Sequence, residues 1–268
     1  MVAGTETMNL SKDLLLKSLR AVLFGEKLDA SDFAEADWKS IFQLADEQTV
    51  SALLLDGMSL LPSECIAIPL GDKLKKIAMM QRIEQINRLH RKVIVKIDQA
   101  LKSEGIPVVF MKGQTTALRY PNPLHRTPGD IDFVVNPKDF KKTMEVLEKI
   151  GKVDHHLVHE HHGMAWVDGV TVEPHYKVHN YQCPSTDHAM QEMFASVFPS
   201  ELSSADMDGY AVPVFPPTFE SVFLISHMVN HVYEEGLGLR QVIDYAMFLS
   251  SCADKIDWLQ HHEYLHQM

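Results

Sequence analysis

The stretch VVFMKGQTTALRYPNPLHRTPGDIDFVV, from Val108 to Val135, decides the fold. An apolar strand from Val108 to Phe110 turns through Lys112 and Gly113 into a short helix. The chain then crosses a Pro-rich loop and returns as a second strand, in which Asp130 and Asp132 alternate with Ile131, Phe133 and Val135. Side chains i and i+2 of a strand share a face, so the two carboxylates project together while their apolar neighbours pack the other way. Acids held that close repel each other unless a cation lies between them, which points to a divalent metal.

Upstream of this stretch, Leu74, Ile77, Met80, Ile83, Ile86, Leu89, Val93, Ile97 and Leu101 recur by threes and fours. That spacing predicts one long amphipathic helix from Leu70 to Ser103, ended by Gly105 and Pro107. Before it, residues 1 to about 9 read as a ragged terminus. Three shorter helices follow, starting at Ser11, at about Asp37 and at Ala52. Downstream, Pro137 opens a helix that buries Phe140, Met144, Leu147 and Ile150 and closes at Gly151. Strand-like runs follow at Asp154 to His159 and Gly163 to Val167, and the turn Asp168-Gly169 leads into Val170 to His175. The rear of the chain reads as helices around Asp187 to Phe194, after Thr218 and from about Gly238, with a strand at Tyr210 to Phe215. Strand, helix, strand, helix and meander together predict an α/β (α+β) chain with a small mixed sheet and helices on one face.

The 268 residues can bury a sizeable core, and 46% apolar with 23% charged composition is that of a globular protein. No apolar run reaches the roughly 18 to 20 residues of a membrane span. No basic leader with an apolar core is visible, so a cytoplasmic protein is expected. Cys65, Cys183 and Cys252 are scattered and odd in number, without a framework or metal-binding spacing. A formal charge of −11 argues against a broad nucleic-acid surface.

A tight strand-to-helix turn such as Lys112-Gly113 exposes backbone N–H groups that cradle phosphates. Asp130 and Asp132, following Gly129, would hold Mg²⁺ against those phosphates, because Mg²⁺ takes few protein carboxylates and completes its shell with substrate oxygens. A third acid is expected on an adjacent strand. Glu173 in VTVEPHYKVH is placed for it, with His175 on the same face. Arg126, four residues before Asp130, could reach a phosphate or clamp a loop carbonyl. Of the histidines, 15 in all, His227 and His231 share a helical face at i, i+4 and are candidate substrate contacts. The run His159-Glu160-His161-His162 falls on strands and a turn where neighbouring side chains point apart, which disfavours a zinc site there.

The KG turn, the run RTPGDID at Arg126 to Asp132, the later VEPHYKVH, and the rear helices with HMVNH resemble the uncharacterised bacterial nucleotidyltransferase family of the DNA polymerase β type superfamily. The resemblance implies a nucleotidyltransferase fold, with a catalytic core at 96–182 between helical regions at 1–95 and 183–268. It also implies a Mg-dependent nucleotidyltransferase moving a nucleoside monophosphate from an NTP to an acceptor hydroxyl. Two Mg²⁺ ions would sit on Asp130, Asp132 and Glu173, and the phosphates would lie at Lys112, Gly113, Gln114, Thr115, Arg126 and Gly129. Many superfamily members carry Gly-Ser at the turn, where this chain has Lys112-Gly113-Gln114. The acidic balance favours a small-molecule or protein acceptor over RNA and gives no sign of a membrane partner. The alternative readings are a nucleotide-binding or interaction protein that keeps the fold without turnover, and a metal hydrolase built on the histidines.

Overall fold

The computed structural model describes residues 2–156, 161–181, 183–234 and 236–268. In chain order its elements are α1 (Val2–Phe24), α2 (Trp38–Glu47), α3 (Ser51–Ser59), α4 (Leu70–Ser103), β1 (Val108–Met111), α5 (Gly113–Ala117), β2 (Ile131–Val135), α6 (Phe140–Ile150), β3 (Lys152–Asp154), β4 (Met164–Val167) and β5 (Val170–His175). These are followed by α7 (Pro184–Val197), β6 (Ser203–Met207), β7 (Tyr210–Val214), α8 (Pro217–Glu234), α9 (Leu239–Cys252) and α10 (Trp258–Gln267). The chain forms two compact units. One takes the chain up to Ile86 with Tyr120–Thr127 and Gly238–Ile243; the other takes Asn87–Arg119, Pro128–Leu237 and Asp244–Met268.

The first unit is helical because its apolar residues recur at three and four. Leu14, Leu15 and Leu19 of α1 bury against Trp38, Ile41, Phe42 and Ala45 of α2 and Leu53 and Leu54 of α3. Asp37 caps α2 by accepting from the Ser40 N–H. Gly57 lets α3 approach α1 closely, since a Cβ there would lie 2.9 Å from Ser18 Cβ. The helix α1 starts at Val2, so the segment expected to be ragged continues it. Once a helix is nucleated, adding a residue costs little, and residues 2–10 contain no proline.

The second unit is built on a mixed seven-stranded sheet of order β3-β4-β5-β2-β1-β7-β6. Strands β1 and β2 pair antiparallel, while β2 with β5 and β1 with β7 pair parallel. Helices cover both faces rather than one. Val108, Phe110, Ile131, Phe133, Val135 and Val172 pack on α4 and α6, whereas Val109, Met111 and Val134 pack on α7, α8 and Phe248 of α9. The reason is visible in β1 and β2, whose residues are all buried: an uninterrupted apolar strand needs cover on both sides. Strand β6 is absent from the sequence reading because Ser203, Ser204 and Asp206 make it polar. Its signal is the turn Asp208-Gly209, where both residues have positive φ (56° and 88°), as a two-residue hairpin requires. Pro137 opens a 3-10 turn, Pro137–Asp139, before α6 begins at Phe140. Strand β3 ends at Asp154, and residues 157–160, including His159 of the expected run, lie outside the described residues. Among the described residues no helix is long and apolar enough to cross a membrane.

Within the first unit a buried ion pair joins distant segments. His125 ends the 3-10 turn Pro123–His125, with Nδ1 2.7 Å from Asp56 Oδ2 and Nε2 3.0 Å from Glu84 Oε1. The hydrogen bond to Asp56 raises the His125 pKa above the ordinary imidazole value, burial opposes it, and Glu84 adds to the rise. A group whose folded pKa is raised stabilises the fold fully below its unfolded pKa, and that contribution is lost as pH rises through the folded value. Denaturant melts run from about pH 6 to about pH 9 should therefore show the wild type losing stability through the imidazole range. His125→Asn should lack that component of the slope, and identical pH profiles would show that the pair does not bear on stability.

Candidate active site

The parallel register of β2 and β5 sets Asp132 beside Glu173 and Val134 beside His175. Because Ile131, Phe133 and Val172 point to the α4 side, Asp132, Glu173 and His175 point to the other, where α7 and α8 pack. The antiparallel partner of Asp132 on β1 is Met111, the residue just before the Lys112-Gly113 turn. Asp130 precedes β2 by one residue rather than lying within it. The meeting of β1, β2 and β5 at Asp132 thus gathers the turn and the three acids over the middle of the sheet.

Their contacts are close. Asp132 is 7% exposed, and its Oδ1 lies 3.0 Å from His175 Nε2 and 3.4 Å from Lys112 Nζ. Burial would raise the Asp132 pKa, but the Lys112 ammonium and the His175 hydrogen bond outweigh it and hold this carboxyl well below the usual range. Asp130 moves the other way, raised by the charge of Asp132 and then by burial. Glu173 is pushed up to about 7 by burial, then by Asp132 and Asp130, and it hydrogen-bonds with Asp130. Two carboxyl groups in contact hold together only when a proton or a cation lies between them.

Lys112 is the positive centre. It takes φ 53°, a region that L residues other than Asn and Asp rarely adopt, and Gly113 follows at φ 47°. A Cβ on Gly113 would also stand 3.5 Å from the Asp130 carbonyl. The Lys112 Nζ reaches His227 Nε2 at 3.1 Å as well as Asp132. Gln114 and Thr115 are buried and bonded inside the protein: Gln114 Nε2 donates to Asn87 Oδ1 at 2.6 Å, and Thr115 Oγ1 donates to the Lys112 carbonyl at 2.7 Å. They shape the turn. Gly129 has open space where a Cβ would be. Arg126 belongs to the first unit, where it is 6% exposed and Nη1 donates to the Thr127 carbonyl at 3.3 Å.

The histidines converge more than their sequence positions suggest. His161 and His162 do not point apart: their ring centroids are 4.4 Å apart, and they lie 5.4 and 5.0 Å from the His175 ring. The series continues through His179, 5.8 Å from His161 and 5.5 Å from His227, to His231, 4.5 Å from His227. Burial, then the neighbouring His175, His162, His179 and Lys112, push His161 down to about 3. Burial and Lys112 likewise hold His227 well below the ordinary value. Strand periodicity missed this gathering because His161 and His162 are not in a regular strand; His162 makes a single antiparallel bridge to His175. The proximity of His175 and His179 in VEPHYKVH was the one local signal for it.

Oxygen and nitrogen ligands are therefore both at hand. Ligand atoms of Asp132, Glu173 and His175 lie within 4.8 Å of one another, and so do those of His161, His162 and His175. The raised pKa of Asp130 expresses first the negative charge of Asp132, and that of Glu173 first its burial and then the same two acids.

Several solved structures resemble the chain at low identity. The solution structure of the antibiotic-resistance factor ANT(2'')-Ia matches with a TM-score of 0.44 and 14% identity, covering 66% of this chain and 98% of that one. The crystal structure of ANT(2'')-Ia with adenylyl-2''-tobramycin matches with a TM-score of 0.46 and 13% identity, covering 67% and 98%. An antigenic nucleotidyltransferase-like protein from Paracoccidioides brasiliensis matches with a TM-score of 0.40 and 14% identity, covering 60% and 75%. No curated protein sequence matches the chain. Residues 34–268 match the family described as "Uncharacterised nucleotidyltransferase", a span that includes the whole of the sheet and every acid described above, and the chain belongs to that family.

Proposed function

We propose that the protein transfers a nucleoside monophosphate from an NTP to an acceptor hydroxyl, with release of pyrophosphate. The observation that carries the reading is the crowding of Asp130, Asp132 and Glu173 around Lys112 beside a strand-to-helix turn. Asp130 and Asp132 would hold Mg²⁺, which when bound would lower the pKa of the acceptor hydroxyl and neutralise charge on the leaving pyrophosphate. Lys112 and the backbone of the Gly113–Gln114 turn would bind and orient the phosphates, and the strained backbone at Lys112 aims its ammonium at the acids. Glu173, with a pKa near 7, can take the proton from the attacking hydroxyl. His175 positions Asp132 through their 3.0 Å contact, and His227 holds the Lys112 ammonium.

The acceptor class follows from charge and space. A formal charge of −11 disfavours RNA. A cavity of about 420 Å³, lined by Tyr181, Ile225, Ser226, Val229, Tyr233 and Met268, has the size and apolar character of a site for a small organic molecule. Tyr181 closes one wall and packs edge-on against His179 of the histidine series.

The double change Asp130→Asn and Asp132→Asn preserves side-chain volume, so circular dichroism should show an intact fold while calorimetric titration shows loss of Mg²⁺-dependent NTP binding. Unchanged binding would reject the site. Glu173→Gln should keep NTP binding within a few-fold and lower turnover about 100- to 10,000-fold, as expected for loss of a general base. That contrast is read by comparing titration with pyrophosphate release across a panel of hydroxyl acceptors. Mg²⁺-dependent binding by the wild type with no pyrophosphate from any acceptor would identify a nucleotide-binding protein instead.

A further inference from the structure

The segment before β4 is tied to the end of β5 by backbone bonds. Gly163 N–H donates to the Pro174 carbonyl at 2.9 Å and Tyr176 N–H donates to the His161 carbonyl at 3.0 Å, with His162 bridging to His175 between them. This pinning presents three imidazoles whose ring nitrogens lie within 4.8 Å of one another. A carboxylate oxygen is also present: Glu173 Oε2 is 3.8 Å from His162 Nε2 and 3.9 Å from His175 Nε2. His175 is 3% exposed, and its Nδ1 has no hydrogen-bond partner among the described residues.

We infer that His161, His162 and His175 form a zinc site with its fourth position open, beside the oxygen-lined site of Asp130 and Asp132. The donor set decides the metal. Three imidazoles suit Zn²⁺, whereas Mg²⁺ prefers oxygen ligands and retains its waters. Tetrahedral zinc, with Zn–N bonds near 2.0 Å, places its nitrogens about 3.3 Å apart, so side-chain rotations that close the cluster by up to about 1.5 Å complete the site. Glu173 stands at the boundary of the two sites, facing Asp130 on one side and His162 and His175 on the other. The inference stands whether or not the chain transfers nucleotides.

The test uses the full chain, stripped of metal with a chelator and titrated with Zn²⁺ against a chromophoric zinc indicator in excess Mg²⁺. One Zn²⁺ per chain should bind and resist Mg²⁺. The double variant His161→Ala, His162→Ala should lose at least about 100-fold in zinc affinity, since it removes two of the three protein ligands. Its Mg²⁺-dependent NTP binding should match the wild type, which separates this site from the one assigned to nucleotide. X-ray absorption on the zinc-loaded wild type should report three imidazole ligands, a readout independent of how well the variant folds. Substoichiometric zinc, displacement of zinc by Mg²⁺, unchanged affinity in the double variant, or fewer than two imidazoles at the metal would each overturn the assignment.

Discussion

Negative charge confined on one face of a buried strand pair is the constraint on which the second unit depends. Two unit charges about 4 Å apart repel by roughly 4 kcal/mol at the effective dielectric of a protein surface, and more where water is excluded. The protein meets this with one fixed cation, Lys112, with the His175 hydrogen bond to Asp132, and with carboxyl pKa values that move apart. Holding Lys112 at positive φ costs on the order of 1 to 3 kcal/mol. Such strain persists only where the surroundings impose it, and here the surroundings are a sheet buried on both faces.

The topology explains why the acids meet. Parallel pairing of β2 with β5 requires a crossover, which α6 supplies together with the β3-β4 hairpin. The same excursion brings His161 and His162 back to the end of β5. One connection therefore delivers an oxygen donor, Glu173, and a group of nitrogen donors to the same place beside β2. The cover from α7 and α8 on that face then excludes water and lowers the pKa of the enclosed imidazoles.

Much of this order could be read from local pattern. The helix α4 spans Leu70–Ser103 as its threes-and-fours spacing predicts, and β1, β2 and β5 lie where apolar alternation and turn residues put them. Period-two alternation already set Glu173 and His175 on one face. What the pattern concealed was relational. The spacing of α4 is uniform along its length, yet Leu70, Leu74 and Ile77 are exposed while Val93, Ile97 and Leu101 are buried, because the later residues pack on the sheet. Helices were expected on one face of that sheet, although Val108 to Met111 is apolar at every position and so needs cover on two.

By itself, the sequence determined the long helix α4, the strands β1, β2 and β5, the facing of Asp132 and the facing of Glu173, because these depend on backbone periods that each segment carries within itself. Only the tertiary structure decided that the two acids are register partners, that the Lys112 side chain lies between Asp132 and His227, and that Gln114 turns to Asn87. It also decided that six histidines spread from His161 to His231 form one connected series. Those facts depend on strand order, register and loop closure between residues far apart in the chain, and no local period encodes a distance between segments.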